Sequence, residues 1–343
     1  MNKREWVTKA LRGERVDRVP VGFWHHYLEN DVISAGMEHP QLLQQNLQGA
    51  EKFRDEFDPD FVKMMTDGLF YRPDDSYPVI ESASDIGKLQ PLGEDHPYIE
   101  ACVKQARNVR EIYGPDTVIF YNLPSPIHHL QKHLYGTSTF KKYPDYLAED
   151  PIASLAGINA LLEDALVLVR RVLTEGGMDG IYFGLHKDNV FTQEQYEKFI
   201  KPSEVAVLQE ANRYSDVNIA HVCGYRGRVN DFEVYRDYPA TVFNWALHST
   251  DLTIREGKEF FTNCRCVIGG FDQTPGSLIH AGSKAEIMAY TYKLLEENGN
   301  EGFIIGADCT IPSDTPVENL LAVKKARDRY AEGKPLPKRA VIR

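Results

Sequence analysis

Phe303-Ile304-Ile305-Gly306-Ala307-Asp308-Cys309 is a short apolar run closed by an acid and a thiol. A run of this length without polar alternation is the pattern of a parallel strand covered on both faces. Seven similar candidates precede it: Val19–Trp24, Asp60–Met65, Thr117–Leu123, Gly180–Leu185, Asn218–Cys223, Thr241–Leu247 and Cys266–Phe271. Helical stretches lie between them. Leu155–Leu173 carries apolar residues at helical spacing, and Thr192-Gln193-Glu194-Gln195 and Ser283-Lys284-Ala285-Glu286 read as capping boxes. Thr315-Pro316-Val317-Glu318 reads as an N-cap threonine, a proline at N1 and a glutamate at N3. Eight strands alternating with helices predict an α/β fold, a (β/α)8 TIM barrel. An open doubly wound sheet is the competitor. It is disfavoured by the count of eight and by the lack of a Gly-x-Gly-x-x-Gly after the first strand. Residues 1–18 read as a leading N-terminal helix, with Trp6, Ala10 and Leu11 on one side. The segments 66–116 and 124–179, after strands two and three, are too long for simple crossovers. They are expected to hold extra helices or a hairpin over one mouth. The whole chain, 1–343, reads as one barrel domain.

Composition narrows the class. Of 343 residues, 42% are hydrophobic and 26% charged, ordinary for a globular enzyme-sized chain. A net charge of -11 and the lack of a basic stripe argue against nucleic acid. No uninterrupted apolar run approaches the roughly 20 residues of a membrane span. The start, Met1-Asn2-Lys3-Arg4-Glu5-Trp6, has no apolar signal core. Five cysteines are an odd number without disulfide-framework spacing. A reduced compartment is the simpler reading, and a cytoplasmic location is the expectation.

A barrel places its active site at the C-terminal ends of its strands. Residues i and i+2 of a strand share a face, so His221 and Cys223 project together from one strand end, while Cys309 closes another. One nitrogen and two sulfurs suit zinc, with a fourth position left open, as in catalytic rather than structural zinc sites. Histidines gather on the same rim: His25, His26, His129, His186 and His248. Tyr121, Asn122, Asn244 and Asp272 also sit at strand ends, as do Lys63 with Asp67, Asp188-Asn189, and Tyr225-Arg226 followed by Arg228. Each has a plainer reading. His25-His26 could be a satisfied hydrogen-bond pair and Asp272 a turn residue. The pair Gly269-Gly270 before it would let a ligand approach the backbone. Cys264 and Cys266 fall at the opposite mouth, where side chains serve stability, and Cys102 lies in a helical stretch as a core residue.

Three segments carry a resemblance over nearly the full length: Arg15-Val16-Asp17-Arg18-Val19-Pro20-Val21, Phe57-Asp58-Pro59-Asp60-Phe61-Val62-Lys63, and Ile311-Pro312-Ser313-Asp314-Thr315-Pro316-Val317-Glu318-Asn319. They resemble the uroporphyrinogen decarboxylase superfamily, whose fold is a (β/α)8 barrel. Within it, the true decarboxylases carry Arg-Gln-Ala-Gly-Arg after the first strand and a His-Gly pair before the final proline-rich turn. Here those places read Phe23-Trp24-His25-His26-Tyr27 and Asp308-Cys309. The chain is more similar to the zinc methyltransferases that move a methyl group between a corrinoid protein and a thiol of the coenzyme M type. Their signature of His-x-Cys and a later Cys falls on His221, Cys223 and Cys309.

The resemblance therefore implies a methyltransferase in which these three residues hold Zn2+ and act through it. The cofactor set is zinc with methylcobalamin, a corrinoid bound as substrate or carried by a partner protein. Expected substrate-binding residues are His25, His26, Tyr121, Asn122, His186, Asn244, His248 and Asp272. Expected partners are a corrinoid protein, a small-molecule substrate and a second copy of the chain in a homodimer, with neither nucleic acid nor membrane. Two other functions stay open: a decarboxylase of porphyrinogens, and a non-catalytic corrinoid-binding accessory barrel in which a fourth ligand such as Asp308 closes the zinc.

Overall fold

A computed structural model describes residues 2–135, 142–187, 191–224 and 230–337. Helices α1 (Lys3–Leu11) and α2 (Gln41–Phe57) precede strand β1 (Phe61–Met64). Helices α3 (Ala83–Ile86) and α4 (Pro97–Tyr113) lead to β2 (Val118–Pro124). Then come α5 (Pro126–Tyr135), α6 (Tyr143–Glu149) and α7 (Pro151–Thr174) before β3 (Gly180–Leu185). Helices α8 (Gln193–Gln195) and α9 (Lys201–Ala211) precede β4 (Ile219–Val222) and β5 (Val242–Trp245). Helix α10 (Ile254–Phe260) precedes β6 (Cys266–Phe271), α11 (Leu278–Ala281) and α12 (Lys284–Asn298) precede β7 (Phe303–Ala307), and α13 (Val317–Ala331) follows.

All seven strands are parallel and pair in chain order, β1 to β7. Sequential parallel neighbours without a reversal are the order of a curled, barrel-type sheet and not of a doubly wound one. The structure has seven strands among the described residues where eight were predicted. The first predicted strand, Val19–Trp24, makes one isolated parallel bridge, Val21 to Ile305. Its position is nonetheless that of a strand. Gly22 N donates to Ile305 O and Ile305 N to Pro20 O on one side, and Asp60 N donates to Val21 O on the other. Two features stop the ladder. Pro20 has no N–H to give, and the Asp60 carboxylate takes the Val21 N–H at 2.8 Å. Gly22 belongs to the same fit, since a Cβ there would lie 2.3 Å from the Phe61 ring.

The period of two sorts the strands into two cores. Val118, Phe120, Tyr182, Ile219, Val242, Ile268 and Ile304 form an inner cluster with Trp6, Val7, Ala10 and Leu11 of α1. The leading helix therefore packs on the barrel's inner residues. Ile119, Tyr121 and Leu123 belong to the outer cluster between sheet and helices. The long insertions hold helices α3 to α7 and no hairpin among the described residues. Arg72 fastens the first insertion. Fully buried, it donates to Asp164 of α7 at 2.6 Å and to the carbonyls of Ser76 and Gln90.

Both predicted capping boxes form, at Thr192 and Ser283. The third helix start moves by one residue. Pro316, with ψ 127, is the N-cap of α13, and its extended ψ puts it outside the helix. Thr315 Oγ1 is buried without a hydrogen-bond partner among the described residues instead of capping. Helix α7 is, by length and composition alone, long and apolar enough to cross a membrane, against the expectation that no apolar run approaches that length. Here it packs against α3, α4, α5, α6 and α9.

Candidate metal centre

The inner face of β1, β2 and β4 turns polar after its first residues. Phe61 is followed two residues on by Lys63, Phe120 by Asn122, and Ile219 by His221 and then Cys223. Cys223 lies one residue past β4 but continues its ladder, with its N–H on Leu185 O at 2.7 Å. Asn230 braces this strand end, donating to Cys223 O and accepting from Lys187 N. Cys309 follows β7, where Asp308 N donates to Phe271 O.

These placements bring three donors together from two non-adjacent strands. Cys309 Sγ is 3.4 Å from His221 Nε2 and 3.9 Å from Cys223 Sγ. All three ligand atoms lie within 4.8 Å of one another. Bond lengths of about 2.3 Å to sulfur and 2.0–2.1 Å to nitrogen imply tetrahedral edges of about 3.8 Å for S···S and about 3.6 Å for S···N. The two edges that meet at Cys309 match that frame, and the third lies within 4.8 Å, so the donor set present fits a zinc ion. All five cysteines are free thiols, and the hydrogen bond from Cys223 holds Cys309 well below the ordinary thiol range, against burial, with His221 and Lys63 adding to the effect. His221 Nδ1 is buried and lacks a partner among the described residues.

The triad forms part of the wall of a cavity of about 350 Å³. Lys63, Asn122, His26, His128 and His186 share that wall, and Phe70 and Tyr71 of the first insertion close it. Lys63 is buried, with Nζ 4.4 Å above the Tyr182 ring and 5.4 Å from that of Trp24. Burial lowers its pKa, and the two cysteines and Asp67 oppose that. Asn122 Nδ2 is buried without a partner among the described residues and is a free donor at the cavity. His128 and His186 stack face to face, ring centroids 3.9 Å apart at 19°. His26 pairs with Asp67 at 2.7 Å.

Of the predicted substrate-binding residues, His26, Asn122 and His186 reach this cavity and five do not line it. Tyr121 faces the outer core because it is one residue out of phase with Asn122. Asn244 is fully buried and bonded within the fold, accepting from Tyr182 Oη at 2.6 Å and donating to Ile268 O and Ala307 O. His25 lies between the rings of Tyr27 and Phe53. His248 lies in a separate surface notch, its N–H and Nδ1 both on Asp308 Oδ2. Asp272 caps its own turn, accepting from Thr274 N and Oγ1 at 2.8 Å. The Gly269-Gly270 pair makes room for Leu247 and Leu294, not for a ligand in this cavity. Cys266 lies in the inner core and Cys102 in the outer one, as expected. Asp188, Asn189, Tyr225, Arg226 and Arg228 lie outside the described residues.

Lys63 was named in the sequence without a role, and its signal was there: one lysine inside an otherwise apolar strand, in phase with Phe61. Phe70 and Tyr71 had no such signal, because their place depends on how the insertion folds back.

No curated protein matches the chain. Among solved structures, a methyltransferase from Methanosarcina mazei superposes with a TM-score of 0.72 at 16% identity, over 96% of this chain and 99% of that one. A protein described as a vitamin-B12-independent methionine synthase from Listeria monocytogenes superposes with a TM-score of 0.56 at 14% identity, over 91% and 99%. At such identities the likeness is one of fold. The sequence profile of the uroporphyrinogen decarboxylase (URO-D) family matches residues 63–330, which span β1 to α13 and include all three donors. The chain belongs to the uroporphyrinogen decarboxylase family.

Proposed function

We propose that this protein is a zinc-dependent methyltransferase that moves a methyl group between a corrinoid on a partner protein and a thiol or similar acceptor. The observation that carries the reading is the His221–Cys223–Cys309 triad, its three ligand atoms within 4.8 Å of one another in a cavity wall. Zinc held there would keep a thiol as the thiolate, the nucleophilic form, at neutral pH. The chain's own residues do the rest. Two cysteinate ligands and a neutral histidine balance the charge of a divalent ion, so an incoming thiolate adds one negative charge. Lys63, buried beside the two sulfurs, offsets it. Phe70 and Tyr71 narrow the cavity and limit water, and Asn122 offers a donor for orientation.

The fold shared with a protein named as a methyltransferase supports the same reading. A porphyrinogen decarboxylase must pair many substrate carboxylates with cations. Among the described residues of the cavity wall, Lys63 is the only lysine or arginine. A closed, structural zinc is disfavoured as well, because Asp308 neither lines the cavity nor belongs to the donor cluster.

Metal analysis of the wild type beside Cys223→Ser and Cys309→Ser tests the assignment. About one zinc per chain is expected in the wild type, with loss in both variants. Thiol-dependent demethylation of methylcobalamin should disappear with it. Wild-type protein that takes up no zinc when purified in its presence would overturn the reading.

A further inference from the structure

His26 and Asp67 form a pair that the triad does not need for its own assembly. The Asp67 side chain is fully buried, and three nitrogens converge on it. Tyr27 N and Leu28 N donate to Oδ2 at 2.7 and 3.2 Å, while Oδ1 faces His26 Nδ1 at 2.7 Å. The two backbone donors fix the carboxylate in place, and a carboxylate only accepts. It therefore keeps the imidazole proton on Nδ1 and leaves Nε2 unprotonated. The edge-on Phe70 ring, 6.3 Å away, packs beside the imidazole. His26 shares the cavity wall with all three metal-ligand candidates. Its neighbour His25 is not equivalent: its Nδ1 lies on His26 O, its ring is wedged between Tyr27 and Phe53, and burial lowers its pKa. Lys63, as an ammonium, has no lone pair to offer.

We propose that His26, oriented by Asp67, is the base that takes the proton of the incoming thiol. This rests on the methyltransferase reading. The S–H bond breaks and its electron pair stays on sulfur. The proton passes to His26 Nε2, and the Asp67 carboxylate faces the imidazolium that results. The imidazolium then loses its proton to solvent before the next turnover. The pair thus gives the cavity a place to put the proton that a thiol must shed, which the triad itself does not provide.

The test uses the full chain loaded with cobalt(II) in place of zinc, with 2-mercaptoethanol as the probe. The cobalt absorption bands report thiol binding, and an indicator dye in weak buffer near neutral pH reports protons. In the wild type, binding should be fast and release fewer protons per bound thiol than in His26→Gln. In His26→Gln, binding should slow by about 100-fold or more, within the range for loss of a positioned base, and release close to one proton. Added imidazole should restore the rate in His26→Ala, which a packing role for His26 would not produce. If the His26 variants match the wild type in rate and proton count, the proposal falls and the methyltransferase reading stands. If cobalt-loaded wild type shows no thiol-dependent change in its bands, both fall.

Discussion

Asn244 sits at the right end of the right strand, yet its three hydrogen bonds go to Tyr182, Ile268 and Ala307. It ties β5 to β6 and β7 across the barrel interior and braces the ring that packs against His221. Asn244→Leu would leave two buried carbonyls and the Tyr182 hydroxyl unpaired. At about 1–3 kcal/mol per buried orphan, a loss of at least about 3 kcal/mol is expected in urea unfolding. A loss below about 1 kcal/mol would show that these bonds are not what holds the site. The contrast with the triad explains what could be read in advance. His221, Cys223 and Cys309 were legible because a soft-donor set is chemically unusual and its strand phase is simple arithmetic. Whether Asn244 or Asn122 keeps a free amide depends on which carbonyls face it across the barrel, and no residue spacing encodes that.

Among the elements, the strands β1 to β7 were legible to within two residues at each end, because buried parallel strands are continuous apolar runs. The exception, Val19–Trp24, has the same composition but loses its ladder to Pro20 and to the Asp60 carboxylate. The insertions were legible only as length. Their fastening lies in Arg72 and Asp164, residues 92 apart in the chain. Burial pushes the Asp164 carboxyl up to about 6, and Arg72 opposes it. Arg72→Met would leave that carboxyl buried without its cation and two carbonyls without a donor. Breaking a buried pair in this way costs about 3–5 kcal/mol. The exposed pair of Arg170 with Glu94 supplies the control, and Arg170→Met should cost less than about 1 kcal/mol. Equal effects of the two substitutions would show that Arg72 is not an anchor. Since Phe70 and Tyr71 adjoin Arg72, its loss should also weaken substrate binding.

For the molecule as a whole, buried groups pull stability both ways in acid: the raised Asp164 carboxyl favours the folded state as pH falls, and buried histidines oppose it. Burial lowers His129 from 6.5 to about 3, helped by His128 and Arg72, and His129 Nδ1 accepts the Arg72 N–H. Between those two values the unfolded chain binds a proton that the folded chain refuses. Stability is therefore lost as pH falls from about 6.5 toward about 3, by up to about 5 kcal/mol for this one group. His25, also lowered by burial, acts in the same sense. Urea unfolding of the wild type beside His129→Gln at intervals between pH 7 and 4 should show the wild type losing stability relative to the variant as pH falls. Parallel curves for the two proteins would remove His129 from the account.

The barrel's seam has a consequence in time. Arg327 of α13, fully buried, donates to Val19 O and to Asp60 Oδ2, joining residues 308 and 267 positions apart. At translation speeds of about 5–20 residues per second, the ribosome needs roughly 15–60 s to travel from the first of these partners to the last. For that interval the apolar segment around Val21 has neither β7 nor α13 to rest on. The newborn chain must wait until almost its last helix emerges.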